Sequence, residues 1–177
     1  MGRLRRAGPA LQGLYLFLAA LWCGLLLAFA GGAGLVLETS PTRAAAGVVN
    51  RALLDALDES SYAALALLFV LFFAVERGSP FPRLPRALTL RLLVVAAAAT
   101  IVSHLLVTPE MVSLKERAGA ALDALPRTDP VLRDFGRLHA ISALALLVRI
   151  GCAAGIFWLG LRASRPQPFF AAPPSHS

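Results

Sequence analysis

The sequence predicts an all-α protein, a four-helix transmembrane bundle with two short amphipathic helices on its outer side. Three observations predict it. First, the chain holds four apolar runs: residues 7–37, 60–75 and 92–109 carry no charged side chain, and 138–161 carries Arg149 alone. A hydrocarbon core about 30 Å thick takes roughly 20 apolar residues per helix. Second, the chain is 58% hydrophobic and 15% charged, against about 25% charged in soluble domains. Third, the charges sort by side. The N-terminus, the segment between spans two and three, and the C-terminus hold nine arginines against Glu76 alone; the other side holds seven cations against nine carboxylates. Arginine-rich segments stay cytoplasmic, so both termini are placed there.

One compact bundle accounts for the length. A single membrane domain covers 1–165, with spans at about 13–37, 60–76, 88–108 and 138–161, and a Pro- and Ser-rich tail at 166–177 reads as disordered. The basic balance is a topology signal and a contact with anionic lipid. No basic groove with interleaved aromatics points to nucleic acid. Sixteen arginines to one lysine, with abundant alanine, suggest a GC-rich bacterium, and hence its inner (plasma) membrane.

Span one follows Arg3-Leu4-Arg5-Arg6, and Ala28-Phe29-Ala30 resembles a signal-cleavage site. The apolar run continues to Leu37, longer than the 7–15 residues usual for a signal sequence, which favours an uncleaved span. The first outer helix is expected to start at Ser40-Pro41, because Ser or Thr caps helices and Pro suits their first position. In it Val49, Leu53 and Leu57 oppose Arg51, Asp55, Asp58 and Glu59. Span two follows. The segment 78–86, proline-punctuated and basic, reads as a cytoplasmic turn.

Span three ends at Thr108-Pro109, which either starts the second outer helix or kinks the end of the span. Met111, Leu114, Ala118, Ala121 and Leu125 then form an apolar stripe at helical spacing. The two outer segments resemble each other. Ser40-Pro41 and residues 52–57 are matched by Thr108-Pro109 and residues 120–125 at a common offset of 68. That pattern suggests two parallel span–amphipathic–span repeats. Cys23 and Cys152 fall near mid-span and read as small hydrophobes.

Span four carries the chemistry. A charge at mid-span faces the bundle interior and takes a partner. His139, Ser142 and Arg149 are spaced to share one face, a polar intramembrane stripe for an anion, a polar solute or a partner. The alternative is an Arg149 that pairs structurally, with Glu38, Glu76 or backbone carbonyls as candidate partners. His104 and His139, near the outer ends of spans three and four, are a weaker candidate pair for haem or a metal. Gly151 and Gly155 allow close helix packing, either within the bundle or against a membrane-protein partner. No phosphate loop, HExxH, GxSxG or CxxC motif is present, so no enzymatic reading has positive support.

Thr108-Pro109-Glu110-Met111 after span three, and Phe135-Gly136-Arg137-Leu138-His139-Ala140-Ile141-Ser142 at the entry to span four, resemble motifs of a small four-span family. This is domain of unknown function 4149, which includes the animal transmembrane-protein-205-like proteins. Pro109, His139 and Ser142 occupy its motif positions. The resemblance covers roughly residues 14 to 161. Between spans one and two the chain departs from the family, with fewer aromatics near residues 50–56. The resemblance implies a four-span membrane fold and leaves mechanism open; the animal proteins are linked to drug resistance and secretion. The expectation is a non-enzymatic integral membrane protein. Its alternatives are a haem- or metal-binding redox component and an accessory subunit of a larger membrane complex.

Overall fold

The computed structural model describes residues 2–78, 85–119, 125–126 and 128–164. They form helices α1 (Gly2–Thr39), α2 (Arg43–Gly78), α3 (Arg86–Ile101), α4 (Thr108–Ala118) and α5 (Pro130–Ser164). A π-helical turn, Val102–Val107, joins α3 to α4 without a break. No strand occurs among the described residues. Four helical spans are therefore long and apolar enough to cross a membrane. The chain is a four-helix bundle of an integral membrane protein.

The helices pack as a ring in which α1 touches α2 and α5, and α3 touches α5 and α2. Thus α2 and α5 run parallel on opposite corners. Each helix buries one stripe at 3–4 spacing, the geometry of left-handed bundles. On α1 the stripe is Gln12, Tyr15, Ala19, Trp22 and Leu26; on α3 it runs Thr89, Leu93, Ala96 and Thr100. Outward-facing side chains are apolar, with Val70, Leu106 and Leu147 each more than 60% exposed. An apolar exterior over this length is stable only against lipid.

The outer amphipathic segments differ from expectation. The first is no separate helix: α2 runs unbroken through residues 43–78, because Ser60 and Ser61 turn their hydroxyls back to the Leu57 carbonyl and leave the ladder intact. The second, α4, continues span three directly, with Pro109 at its start, and ends at Gly119 with a positive φ of 64°. The Ser/Thr–Pro expectation is misplaced by a few residues. Ser40 and Pro41 lie in a bend, and Thr42 caps α2 by accepting the Ala45 N–H. The cap-then-proline pattern occurs instead at Asp129-Pro130, where Asp129 accepts the Val131 N–H. It starts α5 well before the expected start of span four. The two units of the suggested repeat are thus unlike: the first proline interrupts the chain between helices, and the second lies inside a continuous helical run. Residues 120–124 of the second unit, residues 79–84 of the expected cytoplasmic turn and residues 165–177, with the expected disordered tail, lie outside the described residues.

At the end of the bundle rich in carboxylates, here the acidic end, Lys115 passes over Gly47, where a Cβ would come within 3.1 Å of Nζ. Its ammonium lies 5.8 Å from the Phe135 ring centroid. Lys115 thereby links α2, α4 and α5. At the opposite, arginine-rich end Gln12 donates to Ser164 and ties α1 to α5.

Candidate functional site

Arg149 is fully buried, and its partner is Asp58 rather than Glu38 or Glu76. Its Nη1 donates to Asp58 Oδ1 at 2.5 Å, with both side chains no more than 1% exposed. Glu38 is exposed and Glu76 half-buried. Asp58 belongs to the core face of α2, not to a solvated outer face. The buried stripe of α2 extends backward through Phe72, Leu68, Leu65 and Ser61 to Asp58. Since α2 and α5 stand on opposite corners, the ion pair crosses the middle of the bundle.

The helices bring the two groups to one level. At about 1.5 Å per residue, Asp58 lies about 30 Å from Gly78, His104 about 27 Å from Arg86, and Arg149 about 22 Å from Ser164. Helical side chains lean toward their own N-terminus. For α5 that direction is the acidic end, so the long arm of Arg149 closes the difference.

Ser61 is the second partner. Arg149 Nη2 donates to its Oγ at 2.6 Å, Trp22 Nε1 donates to the same oxygen at 3.1 Å, and Oγ donates to the Leu57 carbonyl at 2.7 Å. The hydroxyl is thereby saturated, and α1 joins the network. Span three joins through His104, whose ring centroid is 5.6 Å from that of Tyr62. His104 lies in the π-helical turn, a distortion often found at functional sites. All four spans meet at this cluster.

Its polar atoms are not all used. Asp58 Oδ2, Tyr62 Oη, His104 Nδ1 and Arg149 Nε are buried without a hydrogen-bond partner. Buried polar groups are ordinarily satisfied, so such a group of orphans marks a place for water or a bound molecule. The set combines donors and acceptors, and its fixed charges, one carboxylate and one guanidinium, cancel.

The predicted stripe on span four divides. Ser142 is half-buried and His139 exposed. Seven residues return a helix almost to the same face, but ten leave His139 about 80° away from Arg149. His104 packs on Tyr62 while His139 points outward, and among the described residues no group of three or more His, Cys, Asp or Glu is placed to hold a metal. Pro109 is exposed at the start of α4.

The glycine pair divides too. Gly155 packs on Leu92, 3.0 Å from a notional Cβ, whereas Gly151 faces open space. Gly160, not singled out from the sequence, makes the closest approach: a Cβ there would meet Leu16 at 2.7 Å. Sequence reasoning also misses Asp58 and Tyr62 as site residues. The 3–4 spacing of the α2 stripe, continued past Ser60, is the signal that finds Asp58. No family model, curated protein or solved structure matches this chain.

Proposed function

We propose that this is a non-enzymatic membrane protein that admits a small, uncharged polar solute to the cluster at Asp58, Ser61, Tyr62, His104 and Arg149. The observation that carries the reading is the diagonal ion pair with unpartnered donors and acceptors around it. A solitary buried arginine would favour an anion. Here Asp58 already neutralises Arg149, so an entering anion would leave an uncompensated charge in a medium where that is costly. A neutral molecule that both donates and accepts hydrogen bonds meets the orphaned atoms without that penalty.

The arginine- and alanine-rich composition supports a bacterial inner membrane, and the charge asymmetry supports cytoplasmic termini with the acidic end outside. The resemblance to the domain of unknown function 4149 family, through Pro109, His139 and Ser142, belongs to the same proposal. It is compatible with solute handling.

The test is uptake of labelled urea, glycerol and alanine into proteoliposomes. The full chain is compared with a D58L/R149M variant that removes both charges together. Faster uptake of at least one solute by the wild type alone is expected. Wild-type uptake equal to the double variant across the panel overturns the proposal.

A further inference from the structure

Gly151, Gly155, Trp158 and Arg162 follow 4–3–4 spacing and share one face of α5. That face borders α3, because Gly155 packs on Leu92. The two helices run antiparallel, so Leu88, Leu92 and Val95 line the border in reverse order. Leu88 stands near the level of Trp158, and Val95 near that of Gly151. Leu88, Val95, Gly151 and Trp158 are all exposed, which inside a bilayer means exposed to lipid. Nothing lies within 4 Å of a Cβ at Gly151. The absent side chains of α5 therefore leave a furrow along the α3–α5 seam. The α3 aliphatics wall it, and Trp158 bounds it toward the arginine-rich end.

The polar end of the furrow holds cations. Helical side chains lean toward their own N-terminus, which for α5 points back into the membrane. Arg162 accordingly lies over Trp158, with its guanidinium carbon 5.0 Å from the ring centroid. Tryptophan at a span end sits at the headgroup level of a bilayer, so the charge is held there. Arg91, exposed and next to Leu92 on α3, leans the opposite way. Its Cα and that of Arg162 differ in level by about 9 Å, and the two arms lean toward each other. Among the described residues neither arginine makes an ion pair. Glu76, the sole carboxylate of this end, is on α2, diagonally across from α5. Two permanent cations thus stand without a protein counter-charge beside an apolar furrow.

The dimensions select the occupant. From Gly151 to Arg162 the helix rises about 16 Å, close to the depth of one leaflet, about 15 Å. An occupant that fits carries an anionic head and an apolar tail one leaflet long. We propose that the α3–α5 seam binds one anionic phospholipid from the leaflet at the arginine-rich end. Its phosphate lies between Arg91 and Arg162, where guanidinium groups form paired hydrogen bonds to phosphate oxygens, and one acyl chain lies over Gly155 and Gly151. This goes beyond the general attraction of a basic end for anionic membranes, because it needs both the cations and the furrow. It involves no residue of the Asp58 cluster and stands independently of the solute reading.

The test counts bound lipid. The full chain, purified in mild detergent, is incubated with equal amounts of phosphatidylglycerol and phosphatidylcholine bearing the same acyl chains. Native mass spectrometry then measures which lipid is retained. The wild type is expected to retain the anionic lipid about tenfold more, from the attraction that arginines near a membrane surface exert on it. R91Q/R162Q should bring that ratio to about one. G151L fills the furrow and should lower retention of both lipids several-fold. All three positions are exposed, so the variants should fold, and thermal denaturation verifies it. Inorganic phosphate at the lipid's concentration should leave the bound lipid in place. Equal retention of the two lipids by the wild type, a preference unmoved in R91Q/R162Q, or retention unmoved in G151L overturns the proposal. Displacement by inorganic phosphate also overturns it, since the head alone would then account for binding.

Discussion

The Asp58–Arg149 pair ties the fate of two residues to each other. A buried charge that loses its partner is left desolvated, and breaking such a pair commonly destabilises by about 3–5 kcal/mol. Arg149→Leu and Asp58→Leu should therefore each lower stability in detergent by about that amount. The double variant D58L/R149M should recover most of the loss, because apolar side chains of similar volume replace the pair without uncompensated charge. Thermal or SDS denaturation of the purified protein measures this cycle; additive losses in the double variant would contradict the pairing. Arg149 was legible in the sequence, since an arginine in an apolar run must face inward. Asp58 was not, because it stands beside Asp55 and Glu59 in a segment whose average polarity reads as solvated. Burial is decided by which face of the helix a residue occupies. The local average of charge cannot separate Asp58, fully buried, from Glu59, exposed.

At the scale of the helices, the contacts that set close packing are those of α5 with its two neighbours. Gly160 meets Tyr15 and Leu16 of α1, Gly155 meets Leu92 of α3, and Gly151 meets nothing. Leucine at these positions should destabilise in the order Gly160, Gly155, Gly151, with G151L near wild type. The loss at Gly160 should be of the size seen on overpacking a core, about 1–3 kcal/mol, and denaturation of the three variants checks the order. A spacing motif alone could not supply that ranking. Gly151 and Gly155 fit the small-xxx-small pattern, yet one helical turn of drift leaves only Gly155 against a neighbour. The apolar spans themselves were plain in the sequence. Their ends were less so, because α2 and span three continue as helix beyond the apolar runs. Water-exposed turns such as the one bearing Arg51 and Asp55 extend them, held by an i,i+4 ion pair. Helix continuity depends on backbone hydrogen bonds, which a polarity profile does not see.

For the whole molecule, the helices are longer than a bilayer is thick. Residues 43–78 of α2 span about 54 Å against a core of about 30 Å. Exposed Glu59, Glu110, Arg133 and Asp134 lie toward the acidic end, and exposed Arg77, Arg91 and Arg162 toward the other. The bundle therefore projects into water chiefly at the acidic end. The sidedness of that projection has a direct probe, because Lys115 is the sole lysine of the chain and is exposed on α4. An amine reagent that cannot cross membranes, applied to intact cells expressing the protein, should label Lys115 if the acidic end faces outward. The K115R variant should remove the label, leaving a side chain that such reagents do not modify. Labelling that appears only after the cells are lysed would place the acidic end in the cytoplasm. It would reverse the orientation inferred from the arginines.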